Sequence, residues 1–384
     1  MIFFSSYFKR TWMLAVLLAA TCASAQDQAF VDPLLLPARL SDRPAEKLLV
    51  DVAALSNGRL VAVGEQGTII LSDDQGHSWQ QAKVPVSVNL TAVFFFDAKT
   101  GWAAGHGGVI LGTRDGGQTW TKLFDGNAAN AQILAAAQGR LKSVQERAQG
   151  MDEALRDSLQ DELEHAEEAL TDAEAGSRFG PSRPLFDLWF KDAQQGFAVG
   201  SFGQLFRTDD GGATWRYIGD RLDNPEGFHY NAIAHTPSGK LVVVGEGGRV
   251  HISADGGNSW KRRETGYNGQ LYGLLGFNDA RGKEILLVYG FGGRVFVSRD
   301  GGASWAESNS GVKATIVAGF VASDGSLRLI DVGGQLVRSD DEGVRFVSVV
   351  AATTGRIATA IPLGDGSLVL TGSGGVQLVT GNGK

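Results

Sequence analysis

Cysteine is almost absent from this sequence of 384 residues, and proline is scarce. Cys22 is the single cysteine, so the chain cannot form an internal disulfide. Its stability must come from a packed hydrophobic core, which a chain of this length can build. The 9 prolines stand against 53 glycines, a balance that favours many tight turns and β structure.

Long basic runs are missing, and so are long apolar segments beyond the N-terminus. Nucleic acid is therefore not expected as a partner, and no later segment is apolar for long enough to cross a membrane. The six histidines show no spacing typical of a metal site, and the sequence has no phosphate loop and no nucleophile elbow. The sequence predicts a protein that is not an enzyme and has no metal or cofactor.

The first 25 residues have the pattern of a secretory signal peptide. Two basic residues precede an apolar segment, residues 12–20, that is too short to span a bilayer. Cleavage is expected after Ala25, which predicts a periplasmic protein, with secretion from the cell as the alternative. Cys22 raises a lipoprotein alternative, but Thr21 is a poor residue before a lipidated cysteine. Cleavage would leave 33 basic against 42 acidic residues.

An eight-residue motif, Ser/Thr-x-Asp-x-Gly-x-x-Trp/Phe, occurs six times. This Asp box covers residues 72–79, 113–120, 208–215, 253–260, 298–305 and 339–346. Its aspartates are Asp74, Asp115, Asp210, Asp255, Asp300 and Asp341, and its tryptophans are Trp79, Trp120, Trp215, Trp260 and Trp305. The gaps between aspartates are 41, 95, 45, 45 and 41 residues, so the second gap holds an insertion. Catalysis needs one constellation and not six copies around a ring, so we interpret the boxes as structural.

A glycine-rich turn precedes each Asp box by about ten residues and occurs seven times. The turns end at Gly67, Gly108, Gly203, Gly248, Gly293, Gly334 and Gly375. Each repeat then has four short strands, with the glycine turn between strands two and three and the Asp box between strands three and four. This pattern predicts an all-β, seven-bladed β-propeller with four-stranded antiparallel blades. The seventh Asp box is reduced to residues 380–383.

The last repeat ends after its third strand, which leaves blade seven one strand short. The apolar segment Ala29–Leu36 precedes the first repeat, and we expect it to supply that strand and close the ring. The predicted organisation is a signal peptide (1–25), an N-terminal segment (26–47), blades one and two (48–127), an insertion (128–178), and blades three to seven (179–384).

The insertion has the periodicity of helices and lacks proline and aromatic residues. Its apolar residues step by three and four on both sides of Gly150, which predicts an antiparallel helical hairpin with its turn near Gln149–Asp152. Residues 128–175 hold 11 acidic and 4 basic residues. A solvated spur and a docking arm both fit this charge, and a long insertion in a compact repeat fold is often functional.

One rim of the propeller is expected to carry both the hairpin and the glycine turns, while the Asp boxes lie on the opposite rim. Exposed aromatic side chains on the first rim would suit a protein or lipophilic partner, and packing between blades is the alternative for each of them. The candidate partner-binding residues on this rim are His106, Phe202, Phe228, His229, Tyr230, Arg249, Tyr267, Tyr272, Phe291 and Arg294.

A glycan-active enzyme or lectin is the main functional alternative, because Asp boxes also occur in sialidases. A sialidase needs three converging arginines and a tyrosine nucleophile with a glutamate partner. Tyr230 and Glu246 could form such a pair, but their spacing gives no sialidase signature. A propeller that binds a small lipophilic ligand in its channel is a third hypothesis.

Lean blades of about 42 residues, with both motifs in register, resemble the BNR-type propellers and especially the family of the photosystem II stability and assembly factor. The resemblance covers Leu48 to the C-terminus apart from the insertion. It implies a non-enzymatic assembly factor that holds membrane-protein subunits through an arginine-lined surface. Arg249 and Arg294 are the candidates for that surface, and Arg299 is a further one.

The same resemblance also implies a class of partner. Similar propellers of non-photosynthetic Gram-negative bacteria are associated with RND-superfamily exporters. The resemblance therefore implies a periplasmic accessory protein of a membrane protein complex, an RND-type exporter or its assembly. We expect it to dock through the helical hairpin and the aromatic rim.

Overall fold

The computed structural model describes residues 31–149, 159–349 and 355–379. Within them the chain forms six antiparallel sheets of four strands, a seventh sheet of three strands, and two long helices. The predicted signal peptide, the predicted turn at residues 150–152 and the reduced seventh Asp box lie outside the described residues.

The strands follow one another in chain order within each sheet. Blades one to three consist of β1 (Leu49–Ala54), β2 (Leu60–Gly64), β3 (Ile69–Ser72), β4 (Gln80–Gln81); β5 (Leu90–Phe95), β6 (Gly101–Gly105), β7 (Ile110–Thr113), β8 (Thr121–Phe124); and β9 (Leu185–Phe190), β10 (Gly196–Gly200), β11 (Leu205–Thr208), β12 (Arg216–Tyr217).

Blades four to seven repeat this arrangement. They consist of β13 (Tyr230–His235), β14 (Leu241–Gly245), β15 (Arg249–Ser253), β16 (Lys261–Glu264); β17 (Leu271–Asn278), β18 (Glu284–Gly290), β19 (Val295–Ser298), β20 (Ala306–Ser308); β21 (Ile316–Val321), β22 (Leu327–Asp331), β23 (Leu336–Ser339), β24 (Val347–Val349); and β25 (Ile357–Pro362), β26 (Leu368–Gly372), β27 (Gly375–Val379).

The seven sheets confirm the predicted seven-bladed β-propeller. The first strand of each blade contacts the first strand of the next, and β1 contacts β25, so these strands form an inner ring. The core lies between neighbouring sheets. Between blades two and three, for example, Trp102 stacks on Phe190 with ring centroids 3.4 Å apart, and its indole N–H donates to the Gly211 carbonyl at 2.9 Å.

The Asp boxes form closed hydrogen-bonded turns between the third and fourth strands. In blade four, Asp255 accepts the Ser259 hydroxyl at 2.6 Å, the Ser259 N–H at 2.9 Å and the Ser253 hydroxyl at 2.8 Å. These donors, the Ser259 hydroxyl first, hold the pKa of Asp255 below its usual value. The aspartates of the other five boxes also accept the backbone N–H four residues on, although Asp341 lacks the second hydroxyl donor because Arg345 replaces the serine or threonine.

The predicted closing strand, Ala29–Leu36, is wrong in the part that the structure describes. Pro33–Leu35 form a 3-10 turn, and Leu34 is 3% exposed among valines of blades one and two. The Pro33 carbonyl accepts the Ser87 N–H at 2.9 Å, which ties this segment to the end of blade one. The fixed φ of proline suits the start of a helical turn better than a strand, and apolar composition alone does not distinguish the two.

Blade seven meets blade one by packing of their sheets. Val369, Ile361 and Leu378 of blade seven share a hydrophobic cluster with Leu49 and Leu60 of blade one. In the described residues, blade seven therefore has three strands. Apolar side chains, and not the predicted N-terminal strand, join it to blade one.

The insertion contains two helices, α1 (Gly126–Gln149) and α2 (Gln160–Phe179). Asp125 precedes α1 and accepts the Asn127 N–H at 3.1 Å, as an N-terminal capping residue does. Gly180 follows α2 with φ of 80°, a conformation in which glycine commonly ends a helix. Arg147 and Glu162 form an ion pair of 2.6 Å between the helices, which therefore run antiparallel.

Polar side chains join the inner strands of four successive blades. Asp51 accepts the Val93 N–H of blade two at 2.8 Å, and Asp187 accepts the Ile233 N–H of blade four at 2.8 Å. The Thr91 hydroxyl likewise donates to the Leu185 carbonyl at 2.7 Å. Burial raises the pKa of Asp51 to about 6 and that of Asp187 to about 7, although the backbone donors act in the opposite direction.

We expect ionisation of these two carboxyl groups to reduce stability. Their folded-state pKa values lie above the ordinary value of 3.8, so their stabilising contribution is complete below about pH 4 and is lost as the pH rises through 6 and 7. From pH 5 to pH 8, the stability of an Asp51→Asn, Asp187→Asn double variant should rise relative to that of the parent by on the order of 4 kcal/mol, because Asp51 contributes about one pH unit and Asp187 about two. Urea unfolding at both pH values measures this difference.

The comparison of parent and variant removes the contribution of other groups. Burial lowers the pKa of His251, so its contribution to stability changes with pH in the opposite direction, but equally in both proteins. An equal difference between parent and variant at pH 5 and pH 8 would contradict the assignment.

Candidate functional site between the hairpin and blades three and four

A cavity of about 410 Å³ lies between the helical hairpin and the glycine-turn rim of blades three and four. We call it the hairpin cleft. Its hairpin wall includes Ile133, Ala136, Ala137, Arg140, Glu168, Ala169 and Asp172, and its propeller wall includes Arg183, Phe202, Tyr217, Asp220, Leu222, Glu226, Phe228, His229 and Glu246.

The propeller wall is built by a backbone contact that repeats from blade to blade. In blade three the Ser201 N–H donates to the Pro184 carbonyl at 3.1 Å, and in blade four the Glu246 N–H donates to the His229 carbonyl at 3.1 Å. Each glycine turn is thereby joined to the segment that leads into the first strand of its own blade. This contact brings turn residues such as Phe202 beside residues such as Arg183.

Polar contacts hold the hairpin on blade three. The buried Asn130 amide donates to the Gly176 carbonyl at 3.1 Å and to the Gly180 carbonyl at 2.9 Å, which joins the two helices at their base. Gln132 donates to the Trp215 carbonyl at 2.9 Å and accepts the Tyr217 N–H at 2.8 Å. The Gln132 side chain of α1 is therefore hydrogen-bonded to the backbone at the outer strand of blade three, β12.

The base of the hairpin also shares the core of the propeller. Ile133, Ala137 and Ala173 belong to one hydrophobic cluster with Phe124 and Phe206. Because this cluster joins the helices to blades two and three, the base of the hairpin is a continuous part of the fold.

Arg183 lies between the hairpin and the aromatic rim. Its guanidinium group donates to the Asp172 carbonyl at 2.7 Å and lies 5.0 Å from the Phe202 ring centre. A Cβ atom at Gly176 would come within 2.8 Å of the same guanidinium group, so a larger residue there would displace the Arg183 side chain. Burial lowers the pKa of Arg183, while the Asp172 charge opposes that shift.

Aromatic side chains continue along the propeller wall. The rings of Phe202 and His229 are 4.9 Å apart, and Phe186 stacks behind His229 at 6.0 Å. Phe228 carries the Arg249 guanidinium group at 4.5 Å from its ring centre. Phe202 is 52% exposed, so much of its surface faces the cleft and solvent.

Several carboxylates of the cleft already have partners. Glu226 forms a two-pronged ion pair with Arg249, which lowers the pKa of Glu226 to about 2. Glu246 accepts the His229 N–H at 2.7 Å and a hydrogen bond from Gln270 at 2.5 Å. These contacts hold Glu226 and Glu246 in place in the propeller wall of the cleft.

The residues predicted to bind a partner at the rim lie in separate places in the structure. Phe202, Phe228 and His229 line the hairpin cleft, and Arg249 supports them from behind. A second group on blade five comprises Tyr267, Phe291 and Arg294, where the Tyr267 hydroxyl donates to the Phe291 carbonyl at 3.3 Å. Tyr272 lies in the channel lined by the inner strands, and His106 is exposed at the turn of blade two beside α1.

Tyr230 must be removed from the predicted binding residues. It is 2% exposed and packs edge-on against His251, 5.4 Å away, within the core between blades three and four. It is the first residue of β13, where the alternation of the strand directs its side chain inward. Glu246 bonds His229 and Gln270 instead, so the imagined Tyr230–Glu246 catalytic pair does not form.

The predicted arginine surface is also altered. Arg249 pairs with Glu226 and Arg294 pairs with Glu307, so both guanidinium groups are already engaged. Arg299 pairs at 2.5 Å with Glu342 of an Asp box, on the opposite rim. Arg299 therefore cannot join the other two, because the four residues of β19 separate it from Arg294.

Arg183, Gln132 and Asn130 contribute to the site but were not among the predicted residues. Arg183 and Phe228 both stand two residues before the first strand of a blade, so an alignment of these connections points to Arg183. No comparable signal exists for Gln132 and Asn130, because their roles depend on how the hairpin packs.

Neither a metal site nor a membrane-spanning helix is found in the described residues. No three histidine, cysteine, aspartate or glutamate side chains come together there as a metal site. Across residues 31–149, 159–349 and 355–379, no helix combines the length and apolar character needed to cross a bilayer.

The family model for photosynthesis system II assembly factor YCF48 matches residues 37–130 and 180–273. The curated photosystem II assembly lipoprotein Ycf48 of Synechococcus sp. (strain CC9902) is 26% identical over 213 residues. That match covers 54% of this chain and 60% of the relative's length. Residues 131–179, which include most of the hairpin, fall in the gap between the two matched segments.

Solved structures share the fold. A structure of YCF48 bound to a D1 peptide has a TM-score of 0.59 and 16% identity, and covers 89% of this chain and 98% of that one. YCF48 from Cyanidioschyzon merolae has a TM-score of 0.57 at 15% identity, with 89% and 97% covered. The WD40 propeller domain of Doa1 reaches 0.58 at 10% identity, with 90% and 96% covered. The chain is thus a β-propeller that is similar to the Ycf48 proteins.

The attachment of the hairpin depends on Asn130. Replacing it with alanine removes two hydrogen bonds, one of them buried, and should weaken the hairpin base by about 1–3 kcal/mol. Hydrogen exchange should become faster in Gln160–Phe179, while the inner strands keep their protection. Thr171→Ala on the exposed side of α2 is the matched control and should leave exchange unchanged. Equal exchange in the two variants would show that Asn130 does not hold the helices together.

Proposed function

We propose that this Ycf48-like β-propeller is a non-enzymatic periplasmic scaffold that docks on a membrane protein complex through its helical hairpin and glycine-turn rim. The hairpin cleft is the observation that carries the proposal. It joins an inserted acidic arm to exposed aromatic side chains on one rim, and such surfaces suit protein partners. The Asp-box aspartates, by contrast, bond within their own turns.

The relatives support an assembly role. The curated relative is named a photosystem II assembly lipoprotein, and one solved YCF48 structure contains a D1 peptide. The curated match spans 60% of that relative, so the partner of this chain is inferred separately. Most of the hairpin falls outside the matched segments, which favours a different partner. We infer an RND-type exporter or its assembly as that partner, in line with the non-photosynthetic propellers that this chain resembles.

Shortening the hairpin tests the docking role. Residues 138–172 can be replaced by a short Gly-Asn loop, which keeps Ala137 and Ala173 in the shared hydrophobic cluster. The shortened protein should remain folded but should lose co-purification with a membrane protein from detergent-solubilised membranes of its native host. The loss should be at least tenfold, because most of the arm and four residues of the hairpin wall, Arg140, Glu168, Ala169 and Asp172, are gone.

The matched control changes the opposite rim. Phe96 is 45% exposed and lies beyond β5, on the Asp-box side, so Phe96→Ser should leave partner capture intact. Equal capture by the shortened and parent proteins would exclude the hairpin as the docking arm. Capture of no membrane protein by the parent would refute the scaffold proposal.

Location is tested by the mass of the mature protein. The signal-peptide pattern predicts an N-terminus at Gln26 and recovery in the periplasmic fraction. The intact mass of the protein purified from its host should match residues 26–384. A mass that corresponds to an acylated Cys22, with recovery in the membrane fraction, would instead establish a lipoprotein.

A further inference from the structure

Phe202, in the propeller wall of the hairpin cleft, has an unfavourable backbone conformation. Its φ is 54° and its ψ is 41°, in the left-handed region that bulky side chains rarely adopt. The equivalent turn residue is Gly107 in blade two, Gly247 in blade four and Gly292 in blade five. Blade one has the other exception, Gln66, with φ of 51°.

Burial does not compensate for this conformation, because Phe202 is 52% exposed. Its ring contacts the guanidinium group of Arg183, 5.0 Å from the ring centre, and the ring of His229, 4.9 Å away. An exposed aromatic ring in a strained turn, at a place where neighbouring blades have glycine, is poorly explained by folding stability. Strain of this kind is concentrated at binding sites.

The charges of the cleft indicate the sign of its ligand. Five carboxylates and two guanidinium groups line it. Glu226 and Glu246 have the partners described above. Glu168, Asp172 and Asp220 form no ion pair with any described residue. The hairpin adds its own acidic excess, so the cleft favours a cation.

The wall of the cleft also has an apolar part. Ala136, Ala137 and Ala169 of the helices lie across the cleft from aromatic residues of the rim, and their small side chains leave room between the two walls. An apolar side chain fits that space and would contact both the alanines and an aromatic ring.

We propose that the hairpin cleft binds an extended segment of a partner protein that carries lysine or arginine beside an apolar side chain, with Phe202 as the main contact. This inference rests on the scaffold function proposed above and adds the chemistry of the bound segment. The apolar side chain lies between Phe202 and the helix alanines. The basic side chain reaches Glu168, Asp172 or Asp220.

Three fluorescein-labelled peptides test the proposal by fluorescence anisotropy on the mature protein. They are Gly-Leu-Lys-Leu-Lys-Gly, the same peptide with glutamate at both lysine positions, and the same peptide with glutamine there. The lysine peptide should bind at least tenfold more tightly than the glutamate peptide at low salt. Binding of the lysine peptide should weaken as salt rises, because its attraction to the carboxylates is screened.

Phe202→Gly should weaken binding of the lysine peptide at least fivefold without lowering the thermal unfolding midpoint, because glycine relieves the strained turn. Gln66→Gly is the matched control, since it relieves the equivalent turn of blade one outside the cleft and should leave binding unchanged. Phe202→Asn gives an independent test, because asparagine tolerates this conformation and removes the ring. A Glu168→Gln, Asp172→Asn double variant should weaken binding by a similar factor.

Equal or tighter binding of the glutamate peptide, or unchanged binding by both Phe202 variants, would overturn the inference. Co-purification from host membranes separates it from the scaffold proposal. If Phe202→Asn captures the membrane partner as well as the parent does, the cleft inference fails and the scaffold function stands. If the lysine peptide binds as expected but the parent captures no membrane protein, the scaffold function fails and the cleft inference stands.

Discussion

The close approach of two backbone segments at the end of each second strand is the constraint on which this propeller rim depends. A Cβ atom at the last residue of that strand would lie 1.9–2.4 Å from the carbonyl oxygen that precedes the first strand, so six of the seven blades have glycine there. Blade six has Asp331 instead, and the next residue still makes the equivalent contact, since the Val332 N–H donates to the Thr315 carbonyl at 2.8 Å. In blade three, Gly200 permits the contact that places Phe202 beside Arg183.

The two rims differ in how their polar groups are used. On the Asp-box rim, aspartates and nearby arginines bond within the fold, as Asp255 does with Ser259 and Arg207 does with Asp209. On the glycine-turn rim, the hairpin adds acidic side chains and leaves a cavity against exposed aromatic rings. The polar groups named on the Asp-box rim are therefore paired within the fold, whereas the cleft on the glycine-turn rim keeps acidic side chains beside exposed aromatic rings.

Much of the fold could be predicted from the sequence, because two motifs recur in register and each marks a turn of known geometry. The closing strand could not, since the segment around Leu34 is apolar in either conformation and its partner is decided by tertiary packing. Of the site, Phe202, Phe228 and His229 followed from their places beside the glycine turns. The cleft itself could not be predicted, because it depends on Gln132 and Asn130, which fix the hairpin on blade three. The prediction for Tyr230 was wrong because the side chain of this first residue of β13 points into the core between blades three and four.

The central claim is that the hairpin and the rim of blades three and four together form the surface that meets the partner. A photoreactive benzoyl-phenylalanine at Ala136, inside the cleft, and one at Phe96, on the opposite rim, test it in living cells of the native host. The account predicts a cross-link to a membrane protein from position 136 and none from position 96. Cross-links to a membrane protein from position 96 alone would contradict it.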